Sequence, residues 1–330
     1  MKESYYIFSS GKLSKKNKNL RFSTNEGDVV DLKSEVIQDI YCYGEITMNT
    51  SCLNFLSKLN IPLHIFDYYG FYSGIFLPKE TNISGEILIK QVEAYQSNSI
   101  RLKIATEILN GAIHNILKNL KYYQNRGKNV KEEIIKIELL YKKLFKCKTI
   151  EELMGIEGSI RKVYYSCWKK ILNNSFNFQK RVKRPPNDII NSLISYLNSY
   201  LYSLTITEIS LTKLNLGISF LHSPAQNRFS LALDISEIFK PFLVDRTIFS
   251  VINKNIISEK DFEFKGKTCY LLNDSKKLIL KEMDRKLKKT FKHKDFNIPI
   301  SYKSLIHLEC LSILKFLNNE KEYQSFKMWW

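Results

Sequence analysis

The spacing of apolar residues changes near residue 84, and this change constrains the fold more than any other feature of the chain. Before it, short runs rich in aromatic and β-branched residues recur at 5–8, 29–32, 37–43, 63–66 and 71–77. Gly11, Gly27, Gly44, Gly70 and Gly74 punctuate them, as turns between strands require. One stretch among them, 51–59, reads as helix. After the change, Ile87, Val92, Tyr95, Ile100, Ile104, Ile108, Ala112 and Leu117 follow one another at helical spacing. That spacing predicts a single long helix ending near Gly127. Helical patterns recur over 130–146, 150–172, 187–214, 230–239, 274–291 and 302–323, with a small hairpin expected around Gly266. The fold class is therefore α+β. A small N-terminal β domain (1–77) is followed by a linker (78–86) and a larger, all-α domain (87–330).

A chain of 330 residues, 44% hydrophobic, can bury a core in each of two domains. Its 51 basic and 33 acidic side chains leave a net charge of +18, which implies a polyanionic partner. Isoleucine, asparagine and lysine are all abundant, so lysine is informative only where it clusters. Lys12, Lys15, Lys16, Lys18 and Arg21 surround an expected hairpin turn. Lys180, Arg181, Lys183 and Arg184 precede a Pro-Pro pair. Lys277, Lys281, Arg285, Lys288 and Lys292 recur three or four residues apart and predict a stripe on one helix face. The last two clusters are the expected phosphate contacts, which give affinity without reading bases. Six cysteines without a C-x-x-C pair point to reduced thiols in a cytoplasmic protein. The N-terminus lacks a signal peptide's apolar core, and no apolar run approaches the ~18 residues of a membrane span, so no membrane role is expected.

The chemistry concentrates in 217–241, GISFLHSPAQNRFSLALDISEIFKP. His222 stands upstream of the apolar run SLALDI, and Asp234 and Glu237 lie within or just beyond that run. Carboxylates are rarely buried unless paired or bound to a metal. Spaced i, i+3, these two share one face of a helix. Ser223-Pro224 supplies a turn that would fold His222 back toward them. One imidazole and two carboxylates make a candidate divalent-cation site. The alternative is a capping Asp234, a solvated Glu237 and an ordinary half-buried His222.

The same stretch resembles the signature of the CRISPR-associated integrase family called Cas-one, the spacer-acquisition endonuclease. The matching positions are His222, Arg228, 230–234, Glu237, Phe239, Lys240 and Pro241. Three further blocks resemble the family in the family's order. The first is Met154-Gly155-Ile156-Glu157-Gly158 with Tyr164 and Tyr165. The second is Arg184-Pro185-Pro186-Asn187-Asp188 with Asn191 and Leu193. The third is FLVDRTIFSVIN at 242–253.

The resemblance implies an N-terminal β-sandwich and a C-terminal helical catalytic domain. It implies a metal set of Glu157, His222 and Glu237, with Asp234 as a neighbour or further ligand, and Arg228 among the DNA-binding residues. Oxygen-rich ligands suit Mn²⁺ or Mg²⁺, and the imidazole favours Mn²⁺. His222 as a general acid–base is the alternative role. The implied reaction is attack of a spacer 3′-hydroxyl on a backbone phosphate of the CRISPR array. The implied partners are double-stranded DNA, a second copy of the chain as a homodimer, and the small protein Cas-two. Two rival readings are a non-catalytic basic scaffold and the integrase of a related mobile element. His64, His114, His293 and His307 read as packing or surface residues. The terminal Trp329-Trp330 reads either as packing or as a docking element.

Overall fold

The computed structural model describes residues 2–78, 84–173, 176–183, 185–292 and 299–329. Arg184, His293, Trp330 and residues 79–83 of the expected linker lie outside the described residues. The chain divides into two compact units, Met1–Thr81 and Asn82–Trp330.

In the first unit one sheet holds β1 (Glu3–Ile7), β5 (Ile37–Cys42), β7 (Leu63–Phe66) and β8 (Tyr72–Phe76) in the order β1-β5-β7-β8. The other holds β2 (Gly11–Lys16), β3 (Asn19–Thr24), β4 (Val29–Leu32) and β6 (Ile46–Thr47) in the order β4-β3-β2-β6. Alternation decides which side chains meet: Leu13, Leu20 and Phe22 turn inward, while Lys12 and Lys16 face out. Ile7, Ile37, Ile40, Cys42 and Leu63 of the first sheet join them, together with Cys52 and Leu56 of α1 (Thr50–Lys58). Both sheets and the helix therefore share one core. On the other face of the first sheet, His64 is fully buried and stacks on Tyr41 with ring centroids 4.8 Å apart. It is a packing residue.

The second unit begins with a departure from the sequence pattern. Instead of one long helix there are two, α2 (Gly85–Gln96) and α3 (Asn98–Gln124). Ser97 takes extended backbone at φ −77°, ψ 106°, and its hydroxyl accepts from the Ile100 N–H, capping α3. Apolar spacing cannot register such a break, because both helices keep the same period. Next come α4 (Lys131–Leu144), α5 (Ile150–Ser166), the single turn α6 (Trp168–Ile171) and α7 (Ile189–Ser210). Nearly every residue of α7 is buried around its whole circumference. Helices α8, α9 and α11 pack against it.

Helix α8 (Ser230–Phe239) runs into a π-helical segment, Lys240–Asp245, and then α9 (Arg246–Asn253). Pro241 has no N–H, so the regular ladder cannot continue through it. Two asparagines of α3 satisfy carbonyls at this junction: Asn115 donates to Ile238 O at 2.9 Å and Asn119 to Pro241 O at 2.5 Å. The hairpin of β9 (Phe262–Lys265) and β10 (Thr268–Leu271), α10 (Asn273–Leu287), the pair β11 (Thr290–Lys292) and β12 (Pro299–Ser301), and α11 (Tyr302–Leu317) complete the unit. Among its described residues the domain expected to be all-α thus carries two short antiparallel strand pairs. All six cysteines are free, five of them buried. No helix among the described residues is long and apolar enough to cross a membrane.

Candidate active site

Two helices and one loop build the site. Glu157 and Arg161 lie one turn apart on α5, so their side chains meet. Asp234 and Glu237 lie on α8, and Lys240 follows one turn later at the start of the π segment. His222 lies in the loop between α7 and α8.

Asp234 is fully buried and tethers that loop. It accepts from the backbone N–H of Phe220 at 2.6 Å, Leu221 at 2.8 Å and His222 at 2.9 Å, and from His222 Nδ1 at 2.7 Å. A carboxylate on Nδ1 sets the tautomer and leaves Nε2 as the nitrogen with a lone pair to offer. The loop is held from outside as well. Gln91 donates to Asn215 O and Ile218 O, Arg101 to Phe220 O, and Phe229 N–H to the Tyr202 hydroxyl. His222 remains 20% exposed at the rim.

Arg161 joins the two glutamates. Its Nε donates to Glu157 Oε1 at 3.2 Å, and its Nη2 to Glu237 Oε2 at 2.6 Å. Lys240 holds the other oxygen of Glu237. Burial alone would raise the Glu237 carboxyl, but Lys240, Arg161 and the nearby His222 hold it well below the usual carboxylate range. Behind Arg161, at the end of the π segment, sits Asp245, 1% exposed. Burial pushes its carboxyl up to about 7, against the pull of Arg161 and a hydrogen bond with Tyr164. Tyr164 is itself fully buried beside Asn119.

The structure thus links Glu157 to Glu237 and places His222 within the electrostatic reach of Glu237. Asp234 has a different task from the shared helix face that the sequence suggests: its contacts run to the loop. Among the described residues no three His, Cys, Asp or Glu side chains stand grouped to hold a metal ion, and Arg161 and Lys240 lie on the oxygens of Glu237. The donor set nonetheless fits a divalent ion in its chemistry: two carboxylates, and an imidazole whose second nitrogen is fixed by a carboxylate.

Of the basic residues, Lys180 and Lys183 lie beside a strut rather than beside a third outward contact. Arg181 turns inward, donating to Asn191 Oδ1 and Ser195 Oγ at 3.0 Å each. Its five donors in a rigid fork suit it to tie down its own loop. Arg228 is exposed and also reaches back, to Ser230 Oγ and to Ser223 O. The expected lysine stripe spans two elements. Lys277, Lys281 and Arg285 lie on α10, Lys288 caps it, and Lys292 lies on β11; all five are exposed. Pairing of β11 with β12 ends the helix sooner than its apolar period suggests. Arg161 and Asp245 are functional candidates that the sequence reading passed over. The i, i+4 spacing of Glu157 and Arg161 was the available signal.

A helical unit that links two glutamates through an arginine, with a histidine acting on one of them and exposed basic residues elsewhere, has the features of a nucleic-acid-processing enzyme, and similarity to known proteins specifies the class. The family model described as CRISPR associated protein Cas1 matches residues 5–285. A CRISPR-associated endonuclease Cas1 from Fusobacterium nucleatum subsp. nucleatum is 46% identical over 330 residues, covering 100% of this chain and 98% of the relative. A solved CAS1 protein from Thermotoga maritima is 34% identical, with a TM-score of 0.87 over 98% of this chain and 100% of that one. A casposase solved with its integration product has the same fold, with a TM-score of 0.87 at 21% identity over 98% and 93% of the two chains. The chain belongs to the Cas1 family and is an endonuclease of that family.

Proposed function

We propose that this chain carries out the strand transfer of CRISPR adaptation, joining spacer DNA ends to the CRISPR array. The 3′-hydroxyl of a spacer end attacks a backbone phosphate of the array. One phosphodiester bond forms and one breaks; the attacking oxygen loses a proton and the departing 3′-oxygen gains one. The observation that carries this reading is the Arg161-linked pair of Glu157 and Glu237 beside a histidine whose Nδ1 is fixed by Asp234.

Glu157, Glu237 and His222 Nε2 would hold a divalent ion, Mn²⁺ or Mg²⁺, which supplies charge stabilisation at the phosphoryl oxygens. Asp234 keeps His222 oriented and its loop closed. Lys240 and Arg161 keep Glu237 ionised in a buried setting. Lys180, Lys183, Arg228 and the α10–β11 lysines hold backbone phosphate. The working assembly in this reading is a homodimer on double-stranded DNA, with two dimers bridged by Cas-two.

His222→Ala and Glu237→Gln test the reading. Each removes a donor while leaving the basic surfaces in place. Cleavage and strand transfer on a branched DNA substrate in Mn²⁺ should fall by at least about 100-fold, a scale set by losing electrostatic stabilisation of the transition state. DNA binding on the same samples should change little. Wild-type turnover in both variants refutes the site. Full binding by a wild-type chain that shows no turnover favours the scaffold reading instead.

A further inference from the structure

Arg161 is more than a neighbour of the two glutamates. Its guanidinium spans Glu157 and Glu237, two carboxylates from different helices, and its side chain is only 12% exposed. Lone pairs given to guanidinium N–H groups cannot at the same time coordinate an ion. One lone pair each of Glu157 Oε1 and Glu237 Oε2 is therefore committed to the arginine, and a second positive charge at the same point is repelled by it.

Two buried atoms nearby lack a partner. Arg161 Nη1 is buried without a hydrogen-bond partner, and so is Asp245 Oδ2. Each acts electrostatically on the other. Leaving a buried donor and a buried acceptor unmet is costly. A rotation of the guanidinium toward Asp245 would satisfy both and free the glutamate oxygens. Asp245 owes its place to the π-helical turn that opens at Lys240. Such turns recur where a helix must aim a side chain off its regular face.

We infer that Arg161 is a resident counter-cation that a divalent ion displaces from Glu157 and Glu237, and that Asp245 is its acceptor in the ion-bound state. Without an ion, the arginine prevents two buried carboxylates from repelling each other. With an ion, it moves aside and remains paired. The inference rests on the reading of Glu157, His222 and Glu237 as ion ligands.

Mn²⁺ titration calorimetry on the full chain separates the possibilities. Arg161→Lys keeps the charge, but a single ammonium cannot reproduce the planar two-carboxylate bridge. Through-space repulsion alone would leave its Mn²⁺ affinity at the wild-type level. Displacement predicts affinity about tenfold tighter, equivalent to ~1.4 kcal/mol, together with a lower melting temperature without metal and a larger Mn²⁺-induced rise. Asp245→Asn, which removes the acceptor's charge, should weaken Mn²⁺ binding by a similar factor. Unchanged or weaker affinity in Arg161→Lys overturns the displacement. Unchanged affinity in Asp245→Asn overturns the hand-over. Absence of saturable Mn²⁺ binding in the wild type removes the site assignment itself, and the inference with it.

Discussion

At the scale of single residues, Asp234 shows how one carboxylate can hold a site together without standing at its centre. It collects three backbone N–H groups and an imidazole in a fully buried position. An asparagine there has one acceptor oxygen and turns an N–H₂ group toward donors that need acceptors. Asp234→Asn should therefore lower stability by ~2–4 kcal/mol, because several buried donors lose their partner at once. His222→Ala leaves the three backbone bonds intact and should cost less. Thermal melts of the two variants check the order. Asp234→Asn melting at or above His222→Ala would mean that the loop is held mainly by Gln91 and Arg101.

At the scale of elements, the C-terminal tail is a strap across α3 and the back of α8. Ser325 Oγ donates to Glu107 O at 2.5 Å, Met328 N–H to Asn115 Oδ1 at 2.8 Å, and Phe326 stacks on Phe239 with centroids 5.7 Å apart. His114 meets Met328 O at 2.8 Å. Trp329 packs on Phe291 and Phe326, so this half of the aromatic terminus is a packing element. Gly111 of α3 lies under the strap, where an added Cβ would sit 2.5 Å from Ser325 Oγ and 2.9 Å from Phe326 O. Helix propensity alone says that Gly111→Ala stabilises by about 1 kcal/mol. The clash should win, with a net loss of roughly 1–3 kcal/mol as the strap shifts. A melting temperature above wild type would show that the tail yields freely.

The strap also carries a pH dependence. Glu309 of α11 accepts from the Tyr323 hydroxyl at 2.5 Å and from Phe326 N–H at 2.9 Å. Burial, outweighing these bonds, pushes its carboxyl from 4.5 up to about 7. A carboxyl raised in the folded state binds its proton more tightly folded than unfolded. Its contribution is therefore full below about 4.5 and is lost as pH rises to about 7. Glu309→Gln should flatten that part of the stability–pH curve and gain relative to wild type at pH 8. Parallel curves for the two proteins would show that Glu309 does not titrate in this window.

At the scale of the whole molecule, a charge of +18 is useful only where it is exposed and clustered. Lys281, Lys288 and Lys292 meet both conditions, while Arg181 is spent on its own loop. DNA affinity should fall steeply with salt as condensed counterions are released. Replacing these three lysines with glutamine should reduce the log–log slope by roughly 2–3, about 0.9 per lost phosphate contact. An unchanged slope would place the DNA on another face.

The sequence by itself determined the two-part architecture, because strand alternation and helical period are properties of local backbone geometry. It also carried the ordered blocks from Glu157 to Glu237, since those residue types lie close enough along the chain to be read together. Tertiary structure alone decided what each of them touches. A shared helix face could not say that Asp234 turns to the 220–222 loop while Glu237 turns to α5. Nor could local spacing say that Arg161 reaches a carboxylate 76 residues away, or that Gln91, Asn115 and Asn119 feed buried carbonyls rather than water. Period follows from neighbours along the chain. Partnership of a buried polar group follows from whatever the fold places against it, and burial makes that partnership obligatory.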